Sequence, residues 1–459
     1  MKHDTPYSRA EGVIQFSHPN AAVRRNAFIL VLGFMSLILS GTVLLRLPLA
    51  STHQQLTWNE ALFTSTSAVT LTGLNVITIA QDLSLFGQIV LLVLIEVGGI
   101  GFVTFSMLIF LLMGRRIGIA GRMLLRQSLG VFDTIGIGKL TLYMVSAILG
   151  LQAVGALLLW LRWGPTLGFD RAAYLAVFHS ISAFCNAGFD LYSGVDSVLF
   201  GFDRDPFTLI VLMVLITIGA LGLLVMIDLI TYPWQRRLMV HTKLIVSLAT
   251  LFTIFTVIML LFDQAIAGAD RGVFSAEAFW VALFKGVSAR TAGITLLPIS
   301  DVSEASKLVL LLLMFVGGAP ASMSGGVTLS TVGVLFATLH TMVRGQPQVI
   351  IFRRTLPLET ISKAVAIMTI ATLLCFSATL LLLLGGAGSL LTVGFEVISA
   401  FSNTGFSLGV TNTLNGWQQL VIILMMFWGR LGPLTLVVLF VQRERPTLIR
   451  YPAEQIVLG

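Results

Sequence analysis

Charge is scarce in this chain. Asp, Glu, Lys and Arg together supply 11% of its 459 residues, less than half of the roughly 25% usual in soluble domains. So little polar surface argues against a large water-soluble domain. Cysteine is rarer still: Cys185 and Cys375 are the only two, both in apolar stretches, so neither a disulfide framework nor a Cys/His metal site is expected. No GxGxxG follows a predicted strand, and no nucleotide is expected to bind this chain itself. HExxH and GxSG are also missing. Gly286-Val287-Ser288-Ala289 comes nearest, but no His or Asp is placed to activate Ser288, which leaves an intramembrane hydrolase as the weakest alternative. No helix carries arginine at every third position, against a voltage sensor. The segment before residue 28 is too polar for a cleavable signal peptide.

What the chain has instead is apolar length. Apolar residues make up 56% of it, and the mean hydropathy is +0.95. Several runs exceed the roughly 20 residues that a helix needs to cross about 30 Å of hydrocarbon. Long apolar helices are predicted at 28–46, 140–161, 244–263 and 363–385, each followed by a second at 85–113, 207–232, 306–341 and 417–441. Between the members of each pair lies a short amphipathic segment, such as TWNEALFTSTSAV. Such a segment is too short to cross, and it enters and returns as a pore helix.

Those short segments carry a signature that occurs four times. It reads FTSTSAVTLTG ending at Gly73, FHSISAFCNAG at Gly188, FKGVSARTAG at Gly293 and FEVISAFSNTG at Gly405. A Phe is followed four residues later by Ser-Ala, and a Gly closes each copy. The fold class is therefore an all-α polytopic membrane protein with four pseudo-symmetric helix–pore-loop–helix repeats around a central pore. It comprises eight transmembrane helices plus four half-membrane pore helices. The repeats are expected at 28–113, 140–232, 244–341 and 363–441. The cytoplasmic pieces are expected at 1–27, 114–139, 342–362 and 442–459.

Basic residues orient it. Nineteen of the 28 lysines and arginines fall in the N-terminal segment, the loops between repeats and the C-terminal tail, so both termini are cytoplasmic by the positive-inside rule. The net charge of +7 follows from that bias and is no sign of nucleic-acid binding. Lipid is the surrounding partner.

A dehydrated cation in a membrane needs oxygen ligands, and backbone carbonyls supply them without a formal charge that would trap the ion. Glycine at 73, 188, 293 and 405 permits backbone angles closed to other residues. The small neighbours Thr72, Ala187, Ala292 and Thr404 permit close approach of four strands, so these eight residues form the candidate selectivity filter. Asp190 is placed to enrich cations at its mouth. Thr64, His179, Lys285 and Glu396 follow the shared Phe in the four copies. Their unlike chemistry argues against a common ligand role, and they are expected to be satisfied locally. Asp133 and Asp228 are expected to be solvated or interfacial.

The four loops, the EVGGIGFVTF stretch at 96–105 and FWGRLGPLT at 427–435 resemble the potassium-uptake superfamily of TrkH, KtrB and HKT proteins from about residue 28 onward. The polar residues before the first helix favour the KtrB type. The resemblance implies K+ permeation with K+ at Gly73, Gly188, Gly293 and Gly405. It also implies a homodimer and a cytoplasmic KtrA-type nucleotide-binding regulatory ring. Potassium channels carry a longer TVGYG filter, so one glycine per loop points to fewer ordered sites and weaker discrimination against sodium. A TrkH-like or HKT-like protein that carries sodium, or uses Na+ as a coupling or activating ion, is the alternative. The residue at 73 is glycine, whereas some sodium-selective relatives carry serine there.

The second helix of the third repeat is interrupted at 316–331 by VGGAPASMSGGVTLST, which cannot form a stable helix. Irregular backbone at membrane depth persists only where it lines water or is buried in protein. Gly317, Gly318, Pro320, Ser322, Ser324, Gly325 and Gly326 are therefore candidate gate residues, and KtrB-like proteins are similar in having an intramembrane loop there. Family loops commonly end Gly-Gly-Ile-Lys; here the end is Gly325-Gly326-Val327-Thr328, without the lysine. The corresponding helices of the other repeats are expected to be unbroken. Arg430 lies in an apolar helix, where an arginine costs at least about 2.5 kcal/mol. The loop carbonyls or Glu96 are its expected partners, in a gating or a purely structural pairing. Arg290, with Glu96, is expected to support the filter backbone. Gly293→Ser or Gly73→Ser should reduce potassium selectivity in folded protein, and unchanged selectivity in ion-competition uptake would reject the filter assignment.

Overall fold

A computed structural model describes residues 21–101, 104–105, 137–192, 198–266, 276–296 and 302–432. Among the described residues, fifteen α-helices carry the fold. In the first repeat they are α1 (Ala21–Leu45), α2 (Trp58–Thr70), the short α3 (Ile79–Asp82) and α4 (Leu85–Ile100). The second repeat has α5 (Ile137–Leu167), α6 (Phe169–Phe184), α7 (Pro206–Leu221) and α8 (Leu223–Gln235). In the third lie α9 (Val240–Ile266), α10 (Ala276–Thr291), α11 (Glu304–Phe315) and α12 (Leu329–Val343). The fourth holds α13 (Leu358–Leu384), α14 (Leu390–Ser402) and α15 (Gly416–Leu431). A hairpin of β1 (Ile350–Ile351) and β2 (Arg354–Thr355) joins the last two repeats.

Segments within α1, α5, α9 and α13 are long and apolar enough to cross a membrane, and the bent pair α7–α8 makes a fifth. The chain is an integral membrane protein. The helices that carry the signature, α2, α6, α10 and α14, have 13 or 16 residues. At 1.5 Å per residue that is about 20–24 Å, short of a bilayer core. Their lengths are set by local chemistry. Thr57 and Glu60 form a reciprocal capping box at the start of α2, as Ser389 and Thr392 do for α14, satisfying amides that would otherwise be orphaned.

Packing follows one rule in every repeat. The outer helix, the short helix and the inner helix touch one another: α1, α2 and α4; α5, α6 and α7; α9, α10 and α11; α13, α14 and α15. Each inner helix also packs on the short helix of the next repeat. The contacts α4–α6, α7–α10, α11–α14 and α15–α2 close a ring.

The expectation of a single interruption, in the third repeat, does not hold. All four inner helices stop or bend at matching places. They end at Gly101 (φ +87°) in the first repeat and Gly432 (φ +81°) in the fourth. In the second, Gly222 (φ +75°) separates α7 from α8, which turns away by 100°. In the third, α11 ends at Phe315. The rest of the spans expected at 85–113 and 417–441 lies largely outside the described residues. Each terminating glycine is preceded by another three residues earlier, at Gly98, Gly219 and Gly429. A Cβ at these positions would fall on the backbone carbonyl of Val69, Phe184 or Phe401 in the short helix of the same repeat. Helix packs on helix backbone there, with no room for a side chain. Gly219→Val should cost about 1–3 kcal/mol through overpacking, read as a lower thermal midpoint of the purified protein; an unchanged midpoint would mean that the contact is not tight.

Candidate ion-conduction site

The short helices end at Thr70, Phe184, Thr291 and Ser402, shortly before the signature glycines, and the signature's serine explains how. The carbonyls of Ser67, Ser182 and Ser399 accept the amides of Thr72, Ala187 and Thr404 at 2.8, 2.9 and 3.0 Å, five residues on, as at helix C-termini that close with a left-handed residue. Leu71, Asn186 and Asn403 are those residues, with φ of +62°, +54° and +53°. The third copy is one residue shorter, and its Ser288 carbonyl accepts from both Ala292 and Gly293. The hydroxyls of Ser182 and Ser288 donate to the carbonyls of Phe189 and Ile294, just past the glycines, at 2.6 and 2.7 Å. The shared Phe63, Phe178, Phe284 and Phe395 are fully buried.

The four loops meet in a closed circuit. Gly73, Gly188, Gly293 and Gly405 have φ between +66° and +88°. A Cβ built at Gly73 would lie 2.7 Å from the Ala187 carbonyl oxygen, and one at Gly188 would lie 2.8 Å from that of Ala292. At Gly293 it would strike the Thr404 carbonyl, and at Gly405 the Thr72 carbonyl. Each glycine thus abuts the carbonyl of the residue before the next repeat's glycine, in the order one, two, three, four, one. Four neutral carbonyl oxygens in one ring are the ligand set that replaces the hydration of a monovalent cation. Any substitution at these glycines acts through the backbone of a neighbouring repeat.

Two asparagines tie this ring to the inner helices. Asn186 accepts from the Thr291 hydroxyl at 2.8 Å and donates to the Ile216 carbonyl at 3.2 Å. Asn403 donates to the Thr72 hydroxyl at 2.8 Å and to the Met426 carbonyl at 2.9 Å. Each therefore links two adjacent filter loops and an inner helix. They were not among the sequence candidates, although Asn precedes the last two residues of the signature in FCNAG and FSNTG.

The 316–328 segment is an ordered, hydrogen-bonded loop. The Gly317 amide donates to Val327 at 2.8 Å, and the Gly318 amide to the Ser324 hydroxyl at 2.8 Å. Ser322 and Ser324 share a hydroxyl bond of 2.8 Å. Pro320 sits against the break of the second repeat, where its carbonyl would be 2.9 Å from a Cβ on Gly222. Ala319 and Met323 donate to the carbonyls of Ala220 and Gly219. Gly325 lies against the Asn403 side chain and Gly326 against Ser402, so the loop abuts the fourth filter copy.

Arg430 holds this loop. Its guanidinium donates to the Met323 carbonyl and to the Gly98 carbonyl, both at 2.7 Å, so one residue of the fourth repeat binds backbone of the third and the first. Charge-assisted bonds contribute roughly 1.5–3 kcal/mol each, enough to offset a membrane arginine's cost. Of the two expected partners, the loop carbonyls are the ones observed. Glu96 instead accepts from Gln152 at 3.0 Å and from the Cys185 thiol at 3.5 Å, beside the end of α6. Arg290 donates to the Ala249 carbonyl of α9 at 3.2 Å; it anchors the short helix to the outer helix and not to filter backbone. Asp190 is 9% exposed and accepts the Tyr192 amide. Asp228, expected to be solvated or interfacial, is 3% exposed and accepts the Met239 amide at 2.9 Å. Asp133 lies outside the described residues.

Comparison with known proteins accords with this geometry. A family profile described as TrkH, a cation transport protein, matches residues 10–451. The chain is 33% identical to the Ktr system potassium uptake protein B of Bacillus subtilis over 437 residues, 94% of this chain and 96% of that one. It is 33% identical to the protein of the same name in Vibrio alginolyticus, covering 94% of each. The potassium/sodium uptake protein NtpJ of Enterococcus hirae is 32% identical across 93% of this chain and 96% of its own length. The crystal structure of the potassium transporter TrkH from Vibrio parahaemolyticus matches in fold with a TM-score of 0.71 at 21% identity, over 93% of this chain and 86% of that one. If Arg430 pins the loop, Arg430→Gln should speed backbone hydrogen exchange across 317–326 and lower the melting temperature. Unchanged exchange would mean that the loop is held without it.

Proposed function

The chain belongs to the TrkH family of cation transport proteins, and on that premise we propose that it takes up potassium through a filter made by the four signature loops. The observation that carries this reading is the closed circuit in which each loop glycine abuts the carbonyl preceding the next. Ions enter from outside, exchange water for the carbonyls of Thr72, Ala187, Ala292 and Thr404 at Gly73, Gly188, Gly293 and Gly405, and pass the 316–328 loop into the cytoplasm. The named relatives are transport proteins, which sets the chain among transporters and not enzymes. The basic bias of the loops and termini supports cytoplasmic ends and a filter opening outward.

The 316–328 loop is the gate in this reading, with Arg430 as its latch. It abuts the fourth filter copy, is bonded to the second and fourth repeats, and has small or hydroxylated residues where an apolar helix would otherwise run. A "Ktr system" relative supports a cytoplasmic partner for this chain too. We assign the nucleotide-binding regulatory ring to that partner, with basic loops 114–139 and 342–362 as its docking surface and a homodimer as the assembly. The potassium/sodium name of the Enterococcus relative favours a second reading in which sodium is also carried or activates transport.

Rubidium uptake into liposomes holding this chain alone, with potassium or sodium as competitor, decides between these. Block by potassium and little by sodium supports the first reading, equal block by both supports the second, and no flux even after loop removal counts against transport. Deleting residues 319–325 should raise basal flux, because it removes both the obstruction and the Met323 carbonyl that Arg430 grips. Unchanged or lost flux in well-folded protein would reject the loop as the gate.

A further inference from the structure

The residues after the shared Phe differ in all four copies, yet two of them do the same thing. His179 Nε2 accepts the amide of Leu191 at 3.4 Å, and Glu396 Oε1 accepts the amide of Leu408 at 3.0 Å. Leu191 and Leu408 are each the third residue past their loop glycine, Gly188 or Gly405. An imidazole and a carboxylate thus hold the same main-chain N–H at the same place in two repeats. Both side chains are buried, at 1% and 0% exposure.

Their other bonds fit the role. His179 Nδ1 bonds the Leu175 carbonyl of its own helix at 2.8 Å, which leaves Nε2 as the acceptor. Glu396 also accepts from the Ser407 and Thr411 hydroxyls at 2.5 and 2.8 Å, so every group bonded to it through a side chain lies past Gly405. The other two copies differ in kind. Lys285 has three donors and no acceptor, so it cannot take an amide, and the Thr64 hydroxyl is buried without a partner. Because the loops follow one another as one, two, three, four, the second and fourth lie diagonally across the ring.

We propose that His179 and Glu396 are positioning residues of the filter, bracing its outer strands at two opposite corners and so setting discrimination between potassium and sodium. The proposal rests on the four-loop filter reading. The strand past each glycine begins where the carbonyl ring ends, and it is held by the signature serine in the second repeat and by Glu396 in the fourth. Removing the acceptor leaves a buried amide unpaired, at a cost that the backbone relieves by moving.

The test is rubidium uptake by the full chain in liposomes, with sodium as competitor, for the parent and for Gly73→Ser, Glu396→Ala, Glu396→Gln, His179→Leu and His179→Gln. Glutamine keeps a carbonyl oxygen for the amide, and alanine or leucine does not. Bracing predicts that Glu396→Ala and His179→Leu lower rubidium-over-sodium discrimination by about tenfold, while the two glutamine variants stay within about twofold of the parent. Loss as large in Glu396→Gln as in Glu396→Ala would overturn bracing in favour of a role for the charge. Unchanged discrimination in Glu396→Ala and His179→Leu, with discrimination lost in Gly73→Ser, would overturn the braces and leave the filter standing. Unchanged discrimination in Gly73→Ser would overturn the filter reading and the braces with it. If the truncated variants do not fold, the glutamine variants decide, since loss of discrimination in either rejects the proposal.

Discussion

Everything in this structure depends on backbone touching backbone where a side chain would not fit. Inner-helix glycines rest on short-helix carbonyls at Val69, Phe184 and Phe401, and loop glycines rest on the carbonyls of the neighbouring repeat. With lipid outside, burial of apolar surface gives helices little reason to associate, and close packing of small residues takes its place. The same contacts that hold the repeats together gather four carbonyls into one ring. Stability and the candidate ion site are thus a single set of contacts.

Around that ring, near-fourfold backbone geometry carries side chains of lower symmetry. Asparagines tie loops to inner helices in the second and fourth repeats, at Asn186 and Asn403. His179 and Glu396 hold strands in the same two repeats. The third repeat departs furthest, with a shorter loop, a lysine after its Phe and an irregular segment after α11. That segment is bonded to Gly219 and Ala220 of the second repeat and to Gly429 and Arg430 of the fourth. A cation is well placed at Arg430, because carbonyls at a helix end and in a loop have lone pairs that no helical amide takes.

Much of this was legible beforehand. Runs such as ILVLGFMSLILSGTVLL and the fourfold FxxxSA…G signature report local physics, namely apolar length and a helix that must end at a glycine. The Gly98–Gly101, Gly219–Gly222 and Gly429–Gly432 pairs are equally visible in the sequence, but glycines are common in membrane helices and the meaning of these lies in what they touch. Arg290 and Asp228 depart from expectation for a related reason: the packing chooses a charged residue's partner, the Ala249 carbonyl of another helix for the one and the Met239 amide beyond the end of its own helix for the other.

The sequence by itself determined that the chain lives in a membrane, that it repeats four times, where each short helix stops, and which third-repeat segment cannot be helical. These follow from composition and from spacing within a dozen residues. Only the tertiary structure decided that the loops close into a circuit, that all four inner helices break at matching places, that Arg430 grips Met323 and Gly98 and not Glu96, and that His179 and Glu396 share a task. The circuit and the Arg430 grip rest on contacts between repeats that are distant in sequence, the His179 and Glu396 bonds on the way each loop folds back over its short helix, and a buried polar group takes whichever partner the packing brings within reach.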